Sequence, residues 1–212
     1  MNNKVFFPIS ITNHYFSKKT IEKTISYCTQ LGSSMIIVVA DSLNRYNYIS
    51  KDNNLNEETA SIKANEIGNQ YFNHIKKIVQ KNYNIQDIKL ERWDNLVNQY
   101  EVQYIMTNLI KLSEISMSFL NDLNKLSHSH LTKNSLPINN YNLYNNNLYL
   151  IEEMSVSIYL TEILDYNIEI YPRGNIALLS EIYSNKYDSF DLKTILNKNI
   201  TKRRFFNLEF IN

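Results

Sequence analysis

The stretch VFFPISITNHYFSKKTIEKTISYCTQLGSSMIIVVA, residues 5–40, decides the fold. It begins with a short apolar run at residues 5–9 and ends with a second one at residues 35–40, which is apolar on both faces. Such runs are typical of parallel strands that helices cover on both sides. Between them, apolar residues recur at helical spacing over residues 18–31. The order strand, helix, strand predicts a βαβ unit with a right-handed crossover.

The ends of this first helix carry recognisable capping residues. Either Ser10 or Ser17 could cap its N-terminus, because a serine hydroxyl accepts a hydrogen bond from a free backbone N–H there. Gly32 stands where a C-cap glycine belongs. The helix is therefore expected to begin near residue 18 and to end near residue 31.

The rest of the chain continues the alternation of helix and strand. The predicted elements, in order, are a long helix at 57–82 after a polar stretch at 44–56, a strand at 85–90, one or two helices at 93–126, an asparagine-rich loop at 132–147, a helix at 148–164, a strand at 168–171, another helix, and a last strand at 205–211. This order predicts a single α/β domain, residues 1–212, with a Rossmann-like open parallel sheet flanked by helices. In such sheets ligands bind beyond the carboxyl ends of the strands.

Composition excludes several classes of protein. Hydrophobic residues make up 43% and charged residues 20%, as in folded proteins, and only three glycines and three prolines disfavour an all-β sandwich. The 22 basic and 21 acidic residues nearly cancel, so any RNA contact must come from a local patch. Cys28 is the only cysteine, which excludes an intramolecular disulfide and a cysteine zinc site. The apolar runs are shorter than the ~20 residues of a membrane helix, and we expect a cytoplasmic protein without a membrane partner.

Three features could carry chemistry at the ligand-binding edge of the sheet. Ser10 directly follows the first strand and is either a nucleophile or a helix cap; there is no G-x-S-x-G elbow of a conventional hydrolase. The helix at 148–164 is apolar on nearly every face, so at least one of Glu152 and Glu153 must point inward. The alternative is a carboxylate near the N-terminus of this helix, where the helix dipole favours a negative charge. Tyr149 shares a face with Glu153, four residues on. Tyr171 ends the late strand near the same edge, as a packing or a site residue.

Together these features resemble the cyclodipeptide synthase family over about residues 5–180. The similar segments, in order, are FPISITN (residues 7–13), DSLNRY (41–46), RWD (92–94), the pair Tyr149 and Glu153, and Tyr171-Pro172, which is typical of one of the two branches of the family. The resemblance implies a fold similar to the catalytic domain of class I aminoacyl-tRNA synthetases. It also implies an aminoacyltransferase that joins the amino acids of two aminoacyl-tRNAs into a cyclic dipeptide (a 2,5-diketopiperazine).

The resemblance implies a role for each matching position. Ser10 would be the nucleophile of a ping-pong reaction that passes through an aminoacyl-enzyme and a dipeptidyl-enzyme. Tyr149 and Glu153 would hold the amino group of the bound aminoacyl moiety, Glu153 would also move protons, and Tyr171 would orient or relay at the same centre. Asn13 would contact substrate, but its role stays open because Pro172 replaces the histidine with which the aligned asparagine pairs in the other branch. Pro8 likewise replaces a glycine of that branch.

An aminoacyl ester is already activated, so no cofactor and no metal ion are expected. The first amino acid is expected among apolar side chains, namely Phe6, Val38, Ala40 and Val156, which suggests hydrophobic substrates. The candidate tRNA contacts are Lys63, Lys76, Lys77 and Lys81 on the long helix, together with the basic run at 202–204; their alternative role is a solvated surface. The sequence leaves the oligomeric state open and is compatible with a monomer.

Two other functions compete with this one. The first is a serine esterase or general acyl hydrolase that uses Ser10 as its nucleophile. The second is a non-catalytic Rossmann-like binding module in which Ser10 is only a helix cap. A nicotinamide or ATP enzyme is disfavoured because neither G-x-G-x-x-G nor a Walker glycine loop occurs.

Overall fold

The structure, a computed structural model, describes residues 3–52, 54–83, 87–171, 177–184, 186–187 and 204–207. Within these residues, five parallel strands form an open sheet in the order β3-β2-β1-β4-β5. The strands are β1 (Lys4–Ser10), β2 (Ser34–Ala40), β3 (Ile88–Arg92), β4 (Ile168–Tyr171) and β5 (Arg204–Asn207). The predicted Rossmann-like α/β fold and its βαβ unit are therefore confirmed.

Helices of the described residues cover both faces of the sheet. They are α1 (Lys18–Leu31), α2 (Arg45–Lys51), α3 (Glu57–Asn82), α4 (Trp93–Val97), α5 (Tyr100–Ile115), α6 (Met117–Lys133), α7 (Asn140–Ile158) and α8 (Ala177–Tyr183), with a 3₁₀ turn at Ser42–Asn44 and a π-helical turn at Tyr159–Ile163. None of them combines the length and the apolar character that crossing a bilayer requires.

Side chains of the central strands alternate between two hydrophobic clusters, one on each face of the sheet. Val5, Phe7 and Ile9 pack with residues of α1 and α3. Phe6 instead packs in the cluster that contains residues of α5, α6 and α7. Because successive side chains of a strand point to opposite faces, Ser10 lies on the same face as Phe6, the face that α7 covers.

The sheet opens near the end of β1. The pairing of β1 with β2 continues to Ser10 and Ala40, but β1 pairs with β4 only at Val5 and Phe6 among the described residues. Pro8, two residues further, has no N–H to continue the ladder. The strand order also reverses here, since the chain runs from β1 to β2 and β3 on one side and later places β4 on the other. Such a switch point forms the ligand-binding crevice of open α/β sheets.

The predicted loop at 132–147 is confined to residues 134–139, because α6 ends at Lys133 and α7 begins at Asn140. Asn139 caps this helix by accepting a hydrogen bond from the backbone N–H of Asn142 at 2.8 Å. Asn142 and Asn146 are buried and bonded to other elements: Asn142 Nδ2 donates to the carbonyl oxygen of Ser50 at 3.2 Å, and Asn146 Oδ1 lies 2.5 Å from a ring nitrogen of His130. Tertiary hydrogen bonds thus outweigh the low helix propensity of asparagine.

Other boundaries differ from the predictions by smaller amounts. The third strand is Ile88–Arg92 rather than 85–90. Residues 85 and 86 of the predicted strand lie outside the described residues. The polar stretch at 44–56 contains α2, and residues 93–126 contribute to three helices. The predicted last strand is described only as Arg204–Asn207.

Gly32 is the C-cap residue of α1, as predicted, but its backbone is not left-handed. Its φ of −144° is extended rather than left-handed, so it is not a left-handed C-cap. A Cβ at this position would lie 2.6 Å from the carbonyl oxygen of Asn3 and 2.9 Å from Cγ2 of Val5. Glycine therefore allows the end of α1 to approach the start of β1 closely.

Candidate active site

Ser10 ends the central strand and is not a helix cap. The cap of α1 is Ser17, whose Oγ accepts a hydrogen bond from the backbone N–H of Thr20 at 3.2 Å. The Ser10 side chain is buried, and its Oγ lies 3.4 Å from Oγ1 of Thr12. The capping role that would have explained Ser10 without chemistry is therefore wrong.

A short hydrogen-bonded chain holds the Ser10 hydroxyl from the side of β2. Thr12 Oγ1 donates to Oδ1 of Asn44 at 2.7 Å, and Asn44 Nδ2 donates to the carbonyl oxygen of Ala40 at 2.6 Å. The second bond fixes which end of the Asn44 amide faces Thr12. Because Thr12 has given its only proton to Asn44, its oxygen can act towards Ser10 only as an acceptor. Sequence reasoning did not identify Thr12 or Asn44 as site residues.

The two adjacent glutamates of α7 have different surroundings. Glu152 is buried and accepts hydrogen bonds from both terminal nitrogens of Arg45 at 3.0 and 2.5 Å, from Nε1 of Trp93 at 2.8 Å and from the hydroxyl of Tyr46 at 3.1 Å. No hydrogen bond or ion pair joins Glu153 to another residue of the described chain. Glu152 is thus a structural ion-pair member, and Glu153 is the carboxylate that remains for a ligand.

Glu153 has the properties of a proton acceptor. Its side chain is only partly exposed, and its partial burial disfavours the charged form of the carboxyl group. Burial, the larger cause, and the negative charge of Glu169 together raise the pKa of Glu153 to about 8. A carboxyl group with such a pKa exchanges protons readily near neutral pH.

Tyr149 and Tyr171 belong to the same neighbourhood as Glu153. The Tyr149 ring packs against His130, with ring centroids 5.1 Å apart, and edge-on against Tyr46 at 6.5 Å. Burial raises the pKa of Tyr149 well above its ordinary value, and the charges of Glu153 and Tyr171 raise it further. Such coupling requires the three groups to lie near one another.

Tyr171 ends β4 at the carboxyl edge of the sheet, next to the strand that ends at Ser10. Its ring lies 5.8 Å from the ring of Phe16, in the loop after β1. Asn13 in the same loop uses its Oδ1 to accept a hydrogen bond from the backbone N–H of Tyr15 at 3.0 Å, so it shapes this loop. Pro172, which bears on the role of Asn13, lies outside the described residues.

The residues of the predicted substrate pocket are buried in the core. Phe6, Val38, Ala40 and Val156 all belong to the cluster that contains Tyr149, and Val38 and Val156 expose none of their surface. Their role as a pocket for the first amino acid stays a prediction.

The predicted tRNA contacts lie on the surface. The lysines of α3 are all exposed, namely Lys63, Lys76, Lys77 and Lys81. Of the basic run at 202–204, only Arg204 lies in the described part of the chain.

The sequence matches no protein-family model and no curated protein. Solved structures do match. A cyclodipeptide synthase from Fluoribacter dumoffii superposes with a TM-score of 0.76 at 19% identity, over 96% of this chain and 87% of that one. The fold is that of a cyclodipeptide synthase.

Two further solved structures also have a fold similar to that of this chain. A cyclodipeptide synthase from Candidatus Glomeribacter gigasporarum, bound to Phe-tRNAPhe, has a TM-score of 0.66 at 18% identity, over 96% of this chain and 86% of that one. A tyrosyl-tRNA synthetase from Archaeoglobus fulgidus has a TM-score of 0.56 at 10% identity, over 97% of this chain and 54% of that one. The predicted similarity of the cyclodipeptide synthase fold to that of aminoacyl-tRNA synthetases is therefore confirmed.

Proposed function

We propose that residues 1–212 act as one catalytic domain that makes a cyclic dipeptide from two aminoacyl-tRNAs. The observation that carries this proposal is Glu153: a crowded carboxyl group without a partner in the described chain, coupled to Tyr149, beside the strand ends that carry Ser10 and Tyr171. The fold adds support, since a solved protein with the same fold is bound to Phe-tRNAPhe. Tyr171-Pro172 further suggests the branch of the family to which the chain would belong.

The first step is an acyl transfer to Ser10. Its Oγ attacks the ester carbonyl of the first aminoacyl-tRNA, the bond to the ribose oxygen breaks, and the tRNA leaves with a proton on that oxygen. The product is an aminoacyl ester of Ser10. The buried position of Ser10 limits the access of water, which would otherwise hydrolyse this ester.

The second step joins the two amino acids. The ammonium group of the aminoacyl-Ser10 gives a proton to Glu153, and the neutral amine attacks the ester carbonyl of the second aminoacyl-tRNA. The bond to its ribose oxygen breaks, this oxygen takes the proton that the nitrogen loses on forming the amide, and a dipeptidyl group remains on Ser10. An α-amino group has an ordinary pKa of about 8, and the pKa of Glu153 is raised to about 8. Matched pKa values favour this proton transfer.

The last step closes the ring. Glu153 releases its proton to solvent and takes one from the new terminal ammonium group. The neutral amine then attacks the carbonyl carbon of the Ser10 ester, the bond to Oγ breaks, and Oγ takes the proton that the nitrogen loses as the cyclic dipeptide leaves. Tyr149, next to Glu153 on the same face of α7, supports the position of the reacting amine. No external energy source is needed, because each aminoacyl ester is already activated.

The decisive experiment is mass spectrometry of the medium of a bacterium that expresses the chain. We expect a cyclic dipeptide, whose mass identifies both amino acids, and no such product from cells that express Ser10→Ala. Purified protein given a labelled aminoacyl-tRNA should also retain label in denatured wild-type protein but not in Ser10→Ala. A medium without any cyclic dipeptide, together with unlabelled protein, would refute the proposal.

The competing functions predict other results. A serine esterase would hydrolyse small esters and free the amino acid from aminoacyl-tRNA without forming a cyclic product. A non-catalytic binding module would lose no activity on replacement of Ser10. The structure already weakens the second alternative, because Ser17 rather than Ser10 caps α1.

A further inference from the structure

A second carboxylate, which sequence reasoning did not identify, lies close to Glu153. Glu169 is in the middle of β4, where its register partner on β1 is Phe6. Its neighbours Ile168 and Ile170 belong to the cluster on the α1 and α3 side of the sheet. Because side chains alternate along a strand, Glu169 faces the opposite side, which α7 covers.

A hydrogen bond to α7 fixes the position of Glu169. The hydroxyl of Ser157 donates to Oε2 of Glu169 at 3.3 Å. Ser157 follows Glu153 by four residues on α7, and Glu153 follows Tyr149 by four, so the three share one face of the helix. Glu169 therefore approaches this face within about one helical turn of Glu153.

We propose that Glu169 is a positioning residue for proton transfer, and that the carboxyl groups of Glu153 and Glu169 together receive the substrate ammonium group. This inference rests on the proposed function, since it concerns the amine of the aminoacyl-Ser10. The class of ligand follows from the chemistry, because two neighbouring carboxylates repel each other and attract a cation with N–H donors.

The proton balance of this step is simple. The ammonium nitrogen loses one proton: an N–H bond breaks, its electron pair stays on nitrogen, and an O–H bond forms on a carboxyl oxygen of Glu153. Glu169 keeps its negative charge and its hydrogen bond from Ser157. That charge makes Glu153 a stronger base than burial alone would, and so favours the neutral amine.

The electrostatics of the site agree with this arrangement. Burial is the largest cause of the raised pKa of Glu153, and the charge of Glu169 is the next. The other charged or titratable groups on the elements that pack against α7 near this position are Arg45 and Tyr46 on α2, His130 on α6 and Tyr171 on β4, with Tyr149 and Glu152 on α7 itself. Arg45 is engaged by Glu152, which leaves Glu169 as the nearby charge that acts on Glu153.

The test is a titration that needs no turnover. Protein labelled with ¹³C at the glutamate carboxyl carbons is followed by NMR across pH, and the Glu153 signal is the one absent from Glu153→Gln. We expect the titration of Glu153 in the wild type to have its midpoint near pH 8. In Glu169→Gln it should fall, yet stay above the ordinary value of about 4.3, because burial remains. Glu169→Asp should keep the midpoint near that of the wild type, and the exposed Glu66→Gln should leave it unchanged.

An unchanged Glu153 midpoint in Glu169→Gln would overturn the proposal. If that variant does not fold, Glu169→Thr, whose β-branched side chain suits a strand, gives the same comparison. In active protein the pH profile of product formation should move to lower pH with the midpoint. A changed choice of amino acids with an unmoved profile would instead assign Glu169 to side-chain recognition. A titration as expected in a protein that makes no cyclic dipeptide would contradict the proposed function alone.

Discussion

At the level of single side chains, Glu153 should make the fold less stable as pH rises. Its pKa is raised to about 8 in the folded protein and is about 4.3 in an unfolded chain. Between these values the folded state holds a proton that the unfolded state has released, so raising the pH favours unfolding. Glu153→Gln removes this effect. We expect the variant and the wild type to be equally stable near pH 4.5, and the variant to gain up to about 1.4 kcal/mol for each pH unit from there to about pH 8, where the folded state also releases its proton.

Urea denaturation at several pH values between 4.5 and 8.5 measures this difference. The matched control is Glu66→Gln. It removes a carboxylate that is exposed to solvent in the folded protein, so the same change of charge should have little effect on the pH dependence. A difference between Glu153→Gln and the wild type that does not change with pH would contradict the prediction.

The hydroxyl of Thr12 should assist the first acyl transfer. Because Thr12 donates to Asn44, it can only accept from Ser10, which directs the lone pairs of the Ser10 oxygen away from Thr12. Thr12→Val keeps the shape of the side chain and removes the acceptor. We expect the aminoacyl-enzyme to form about five- to tenfold more slowly, the effect of one hydrogen bond. A rapid-quench experiment with labelled aminoacyl-tRNA measures the rate, and Thr12→Ser should restore it.

Sequence reasoning identified some of these side chains and missed others for a physical reason. Ser10, Tyr149 and Glu153 lie in segments whose spacing is local, so a resemblance could indicate them. Glu169 and Thr12 gain their significance from residues 12 and 32 positions away along the chain, Ser157 and Asn44. The alternation of β4 shows that Glu169 faces away from its isoleucine neighbours. It does not show which helix covers that face.

At the level of helices and strands, one carboxylate ties three helices together. Glu152 of α7 accepts hydrogen bonds from Arg45 and Tyr46 of α2 and from Trp93 of α4. Removing one partner of a buried ion pair leaves the other charge without compensation, which costs about 3–5 kcal/mol. We expect Arg45→Met to lower the free energy of unfolding by such an amount. Urea denaturation measures it.

The double variant Arg45→Met with Glu152→Leu is the control for this prediction. It removes both charges, so we expect it to recover much of the stability that Arg45→Met loses. If both variants lost the same amount, packing around Arg45 rather than its charge would be responsible. Because Glu152 precedes Glu153, this ion pair also determines how α7 presents Glu153 towards the sheet.

The helices also show where sequence patterns alone predict the bounds of an element. The bounds of α1 and α3 were predicted correctly, because each has apolar residues at helical spacing and a polar cap, Ser17 or Asn56. The first half of α7 was missed, because its asparagines resemble a loop in the sequence. They are helical through buried hydrogen bonds to α2 and α6 that the sequence pattern does not contain.

For the molecule as a whole, α3 connects the proposed active site to a basic surface at the other edge of the sheet. Arg92, at the carboxyl end of β3, donates to Oδ1 of Asn69 at 2.6 Å, so this part of α3 is level with the active-site edge. Twelve residues further, or about 18 Å along the helix axis, lies Lys81, near the opposite edge. The half of α3 after Glu66 carries Lys76, Lys77 and Lys81 and no acidic residue.

The near balance of 22 basic and 21 acidic residues means that only such a local patch can attract tRNA. We expect the variant with Lys76, Lys77 and Lys81 replaced by glutamine to bind aminoacyl-tRNA more weakly. The dependence of log K on log salt should become shallower by about 3, one for each phosphate contact. Replacing Lys18, Lys19 and Lys23 of α1, which are also exposed, makes the same change of charge elsewhere and should have a smaller effect.

The length of the substrate provides the sharper test of this arrangement. If the acceptor arm lies along α3 with its 3′ end at Ser10, a short aminoacylated fragment that ends in CCA reaches Ser10 without reaching the lysines. We then expect the lysine variant and the wild type to acylate Ser10 equally fast with the fragment, and only full-length aminoacyl-tRNA to distinguish them. An equal loss with both substrates would mean that the lysines act through the fold or the active site. No loss with either would assign them to an ordinary solvated surface.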